Sequence, residues 1–127
     1  MRRLLMFMAL LALPVLAQPG PVQQHLLRLE PVRKDFSLQT LTPDERRIAG
    51  EHMAYLRSLQ AEGKLMLAGQ AFDAKRGFWG ISILNTADPE AAAAILNADP
   101  AVKQNLLRGE VIPFRTVVSR PPDAPAK

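Results

Sequence analysis

Residues 42–86, TPDERRIAGEHMAYLRSLQAEGKLMLAGQAFDAKRGFWGISILNT, hold one helix and one hairpin, and the joints between them decide the fold. Thr42-Pro43-Asp44-Glu45 is a helix start. Thr42 caps, Pro43 fits the first turn, and the two acids lie at the positive end of the helix dipole. Glu45 stands three residues after Thr42, which completes a capping box. The helix is expected to run to about Glu62, with Gly63 as the left-handed residue that ends it. On a 3.6-residue period Ile48, Tyr55, Leu56 and Leu59 share one face. His52 lies four residues from both Ile48 and Leu56, so it projects from that face. A purely structural helix would carry Leu or Ala there, because an imidazole facing a small core needs a partner or a task.

Leu65 to Phe72 reads as a strand, Asp73 to Gly77 as a charged hairpin loop, and Phe78 to Thr86 as a second strand rich in aromatic and β-branched residues. Outward from this block, His25 to Val32 alternates around Leu27 and Leu29 and is a first strand, with Pro31 near its end. Arg33 to Leu41 is a loop. Asp88-Pro89 starts an alanine-rich helix, Glu90 to about Ala98. Asp99-Pro100 starts a further helical turn through Leu107, which Gly109 breaks, and Glu110 to Val118 is the last strand. The order is strand, helix, strand, strand, helix, strand, the split βαβ pattern of the ferredoxin-like α+β fold. Two helices cover one face of a four-stranded sheet. Yet Trp79, Ile81 and Ile83 alternate with Phe78 and Leu84, and Val111 and Val117 with Ile112, Phe114 and Val118, so both faces carry apolar residues. A one-sided sheet alternates apolar with polar. The expected closure is a two-fold homodimer packing sheet on sheet.

The chain has 127 residues, of which 48% are hydrophobic, enough for one domain with its own core. Residues 1–17 are expected to be an export signal. Arg2 and Arg3 are its basic region, Leu4 to Leu13 its apolar region, and Val15-Leu16-Ala17 the cleavage site, with Gln18 as the new N-terminus. An apolar run of about ten residues is too short to span a bilayer, which needs about twenty. The chain is therefore expected to be periplasmic or secreted, without a stable membrane anchor once cleaved. Removing the signal takes away two arginines and no acid, which leaves 14 basic against 12 acidic residues and a net charge of about +2. Residues 18–24 read as a flexible leader, 25–118 as the α+β domain and 119–127 as a proline-rich disordered tail.

Composition also excludes chemistry. With no cysteine there is no disulfide, no thiol catalysis and no cysteine-bound metal. The two histidines stand far apart without nearby acidic ligands, which argues against a metal site. There is no glycine-rich phosphate loop and no Gly-x-Ser-x-Gly elbow. Ser37, Ser58, Ser82 and Ser119 have no nucleophile context. Scattered Lys and Arg give no nucleic-acid platform, and no cofactor is implied.

The run from Thr42 through His52, Tyr55-Leu56, Leu59, Gly63 and Leu65 to Ala68-Gly69 resembles the YciI-like (YCII-related) proteins, in which a histidine-bearing helix leads into a Gly-x-Leu-x-x-Ala-Gly-Pro strand. Asn97-Ala98-Asp99-Pro100-Ala101-Val102 is similar to the family's second landmark, an Asp-Pro before a Val, and Val111-Ile112-Pro113-Phe114 to its last strand. The likeness covers residues 25–118. It implies a dimeric α+β barrel of ferredoxin-like subunits and an active-site pair of helix histidine and Asp-Pro aspartate, here His52 and Asp99. Some members resemble enzymes that dehalogenate or modify small rings. Gln70 stands where the family has Pro, which adds an amide to the pocket wall, and an export signal is unusual for the family.

The residues carry a reading of their own beside the resemblance. His52 is suited to general acid–base work because imidazole titrates near neutral pH. The alternative is a core histidine bonded to a backbone carbonyl. Asp99 before Pro100 is also what a plain helix cap looks like, and Asp88-Pro89 has the same local grammar with no chemistry attached. Both roles can coexist, since a capping carboxylate has a second oxygen free. Candidate substrate-binding residues are Arg33, Tyr55 on the His52 face, and Gln70. Trp79, Phe72 and Phe114 suit a cavity lining, a core or an interface. Two functions follow. One is a small exported enzyme that uses His52 and Asp99 for proton transfer in an elimination, isomerisation or hydrolysis of a small organic molecule. The other is a non-catalytic periplasmic binding or assembly module on the same scaffold.

Overall fold

The computed structural model describes residues 24–119. The signal and nearly all of the leader and of the tail lie outside these residues. The elements are β1 (Gln24–Pro31), α1 (Pro43–Ala61), β2 (Leu65–Asp73), β3 (Gly77–Leu84), α2 (Pro89–Ala98), α3 (Pro100–Lys103) and β4 (Leu107–Phe114), with a 3-10 turn at Leu38–Thr40. The strands form one antiparallel sheet in the order β2-β3-β1-β4. This is the expected ferredoxin-like α+β topology. Among the described residues no helix is long and apolar enough to cross a membrane.

Local chemistry sets the ends of α1. Thr42 Oγ1 accepts from the Glu45 amide at 3.1 Å, and the Glu45 carboxylate accepts from the Thr42 amide at 2.9 Å. Such a cap is worth about 1 kcal/mol. Gly63 takes φ +72° past the last turn, and the Lys64 amide donates back to the Leu59 carbonyl at 2.9 Å. The helix then lays Ile48, Leu56 and Leu59 on the sheet, where they meet Leu27, Leu29 and Leu84, with α2 adding Ala92 and Leu96.

The last third of the chain departs from expectation. The short helix ends at Lys103, and β4 begins at Leu107. The chain reverses at Asn105, which adopts φ 59°. Asparagine tolerates that left-handed conformation better than other non-glycine residues. Gly109 is therefore a strand residue paired with Leu29. A Cβ there would lie 2.5 Å from Leu96 Cδ1 and 2.9 Å from Leu29 Cδ2, so its role is to let α2 approach the sheet. The strand ends at Phe114, and Val117 and Val118 lie beyond it, exposed.

The face of the sheet away from the helices is mixed. Ile83 on β3 lies in register with Leu67 on β2 and with Leu26 on β1, which itself pairs with Ile112 on β4, while Ile81, two residues before it on the same face, pairs with Gly69 and Arg28. Leu67 is 49% exposed and Ile112 is also exposed. The other end of this face is charged: Arg28 stacks over Trp79 and joins Glu30 and Glu110, while Arg108 meets Glu30 at 3.4 Å.

Candidate active site

His52 and Asp99 meet. They are 47 residues apart in sequence, and His52 Nδ1 lies 2.9 Å from Asp99 Oδ1 and 2.8 Å from Oδ2. The third turn of α1 carries the histidine over the sheet, and the break between α2 and α3 delivers the aspartate. Asp99 performs two further tasks. Its backbone closes α2, donating to the Leu96 carbonyl, and its Oδ1 accepts from the Ala101 amide at 2.8 Å as the N-cap of α3. It is only 2% exposed. Asp88, with the same Asp-Pro grammar, accepts from the Glu90 amide at 3.0 Å on the surface and touches no histidine. What separates the two aspartates is position in the fold.

A carboxylate accepts hydrogen bonds and has none to give, so the proton of the neutral ring sits on Nδ1. Nε2 then presents a lone pair. The His52 side chain is 15% exposed. It lines a cavity of about 410 Å³ between α1, the loop after β1 and the helix-facing side of β2 and β3. Phe36, Leu38, Met53 and Phe78 make much of its wall, with Gln70 and Ser82 as its other polar side chains. His52 is the one lining residue with an ionisable side chain. Ligand pockets of this size are commonly apolar with a few aimed polar groups. Among the described residues no three His, Cys, Asp or Glu side chains gather to hold a metal ion.

The other expected site residues are spread out. Gln70 lies in the cavity wall. Arg33 does not line it. Its guanidinium grips Glu45 through Nε at 2.7 Å and Nη2 at 3.0 Å, and donates to the Asp35 carbonyl at 2.8 Å. The Glu45 carboxyl is thereby held down to about 2, by Arg33 first and by the Thr42 amide second. Arg33 also sits 5.5 Å from the Phe36 ring centre, so it braces the loop that supplies the cavity's Phe36 and Leu38. Tyr55 points beside the cavity. Its hydroxyl donates to the Ile95 carbonyl at 2.9 Å, tying α1 to α2, and burial followed by the Asp99 charge pushes its pKa up. Trp79 and Phe114 belong to the opposite face of the sheet, and Phe72, 70% exposed, packs on Phe78. Phe36 and Phe78 are the cavity's aromatic residues, and they escaped the sequence because a loop and a hairpin end carry no period to read.

Fold and site together define a ferredoxin-like α+β domain with a largely buried histidine–aspartate pair at the wall of an apolar cavity. The family model of the YCII-related domain matches residues 25–115, and the chain belongs to that family. No curated protein matches it. Among solved structures it is similar to the 5-chloro-2-hydroxyhydroquinone dehydrochlorinase of Burkholderia phenoliruptrix AC1100, in complex with 2,5-dihydroxybenzoquinone. The identity is 22%, the match covers 72% of this chain and 92% of that one, and the TM-score is 0.51. At that identity the likeness speaks for the fold.

Proposed function

We propose that this chain is an exported enzyme that moves a proton on a small organic molecule, with His52 as the base and Asp99 as the group that orients it. One observation carries the reading: a carboxylate fixes Nδ1 of a histidine that lines a mostly apolar cavity. In such a cavity Nε2 takes a proton from the substrate, and Asp99 stabilises the imidazolium that forms. Elimination and isomerisation begin this way; in a hydrolysis Nε2 instead takes the proton of the water that attacks the substrate. In an elimination the proton goes to Nε2, its electron pair becomes the new π bond, and the leaving group departs with the pair that held it. The similar dehydrochlorinase makes a chlorinated, hydroxylated ring a reasonable first substrate to try. Gln70 meets a polar substituent at the wall. Export rests on residues 1–17, and a sheet-to-sheet homodimer rests on the open apolar patch of Leu67, Ile81, Ile83 and Ile112.

The mostly apolar lining also suits the second reading, a binding module that retains a ligand without converting it. A reaction panel separates the two. The purified chain and His52→Ala are incubated with chlorinated hydroquinones, unsaturated lactones and small esters, and chloride release, absorbance change and acid release are followed. Turnover that drops about 10²- to 10⁴-fold in the variant is the expected result. Equal turnover in both proteins, or binding without turnover throughout the panel, overturns the enzyme reading.

A further inference from the structure

Ser82 sits on the helix-facing side of β3, between Gly80 and Leu84, and is 1% exposed. Its strand neighbours are Leu27 on β1 and Ala68 on β2, neither of which offers a polar side chain. Among the described residues Ser82 Oγ is the one buried side-chain polar atom without a hydrogen-bond partner. A hydroxyl in that condition weakens the fold, and alanine would pack the position without the penalty. Yet Ser82 lines the cavity that His52 lines from the helix side.

We propose that Ser82 is the hydrogen-bonding anchor of this cavity and that it selects a small, uncharged, mainly apolar ligand carrying a hydroxyl or carbonyl oxygen. The inference rests on the reading of the cavity as the substrate site and adds the class of substrate. The ligand's oxygen completes the Ser82 hydroxyl on the sheet floor, while the ring or chain bearing that oxygen fills the space between Phe36, Phe78 and Met53, below His52. Charge excludes an anionic ligand. The lining holds no Lys or Arg, the Asp99 carboxylate stands directly behind the imidazole, and Arg33 is committed to Glu45. A buried carboxylate or phosphate there would have the imidazole as its sole cationic partner, with an anion behind it.

The test is binding of three probes to the full chain, followed by ¹H–¹⁵N spectra: phenol, toluene and benzoate. Phenol is expected to bind most tightly and benzoate least. Ser82→Ala is expected to weaken phenol about fivefold to tenfold, the worth of one hydrogen bond, and to leave toluene unchanged. The same variant, free of ligand, is expected to unfold at higher urea than the wild type, which a serine kept for structure would not do. His52→Gln is expected to keep the preference for phenol over toluene while losing turnover, so failure of the acid–base reading leaves this result intact. The proposal is overturned if Ser82→Ala binds phenol as the wild type does, if benzoate outcompetes phenol, if none of the probes binds the wild type, or if the preference for phenol disappears with His52 instead.

Discussion

Replacing Asp99 and Asp88 in parallel isolates what the fold has added to one of two locally identical caps. Each side chain accepts one backbone amide at the start of a helix. Losing such a cap costs about 1 kcal/mol, and that is the whole expectation for Asp88→Ala on the surface. Asp99→Ala removes the cap, leaves the Ala101 amide buried, and strips His52 Nδ1 of its acceptor. An unmet buried donor adds about 1–3 kcal/mol, so the total is about 2–4 kcal/mol. Urea unfolding followed by the single tryptophan, Trp79, reads both. Asp99→Asn then separates stability from chemistry. Its carbonyl oxygen still takes the Ala101 amide, but an NH₂ group replaces the oxygen that lay 2.8 Å from His52 Nδ1. The retained Oδ1, 2.9 Å from Nδ1, is shared with the Ala101 amide, while the new NH₂ donor faces the ring at the shorter distance, so the neutral ring is expected to move its proton to Nε2, and the atom at the cavity to change from acceptor to donor. Ring ¹⁵N shifts report which nitrogen is protonated. The variant is expected to fold within about 1 kcal/mol of wild type while carrying the inverted tautomer. Equal costs at positions 88 and 99, together with an unmoved ring proton, would refute the coupling and leave Asp99 a cap alone.

Three further outcomes follow from the packing and the charges. Gly109→Ala forces a methyl against Leu96 and Leu29 and is expected to destabilise by about 1–3 kcal/mol in urea unfolding; a neutral result would mean that α2 is free to withdraw. Because the Glu45 carboxyl is held down to about 2 and an unfolded glutamate titrates near about 4.3, its ion pair with Arg33 stabilises fully above the unfolded value and is lost as pH falls through the folded one. The melting-temperature gap between wild type and Glu45→Gln is thus expected at neutral pH and should close between about 4.5 and about 2; a gap independent of pH contradicts it. Light scattering is expected to give a dimer for the wild type and a monomer for Ile83→Lys, and a monomeric wild type would remove the sheet-to-sheet interface.

The parts of this molecule that were legible in the sequence are those written in local chemistry. The Thr42–Glu45 capping box, Gly63 and the charged Asp73–Gly77 hairpin each specify a turn through side chains a few residues apart, and the structure places them where the periodicity does. His52 was visible because one imidazole interrupts an apolar stripe. The boundary before β4 was misread because Asn105, which carries the left-handed turn, is weaker punctuation than Gly109, whose absent side chain serves a contact with Leu96 made only in three dimensions. Arg33 and Tyr55 show the same limit. Sequence placed them near the site, but the Glu45 carboxylate and the Ile95 carbonyl engage them, and both partners are chosen by tertiary packing. Ser82 was the hardest to see: a serine among strand residues signals nothing until its neighbours prove to be a leucine and an alanine.

The double duty of Asp99 bears on how this protein's history should be read. A lineage that abandoned chemistry would still keep the aspartate, because the α3 terminus requires it. The histidine's architectural hold is of another kind: leucine or methionine would fill the same helix stripe but would leave the buried Asp99 Oδ2 without its partner. Across relatives, then, an intact Asp-Pro speaks for an intact scaffold, and under the function proposed above it is position 52 that would record a lapse of selection for turnover.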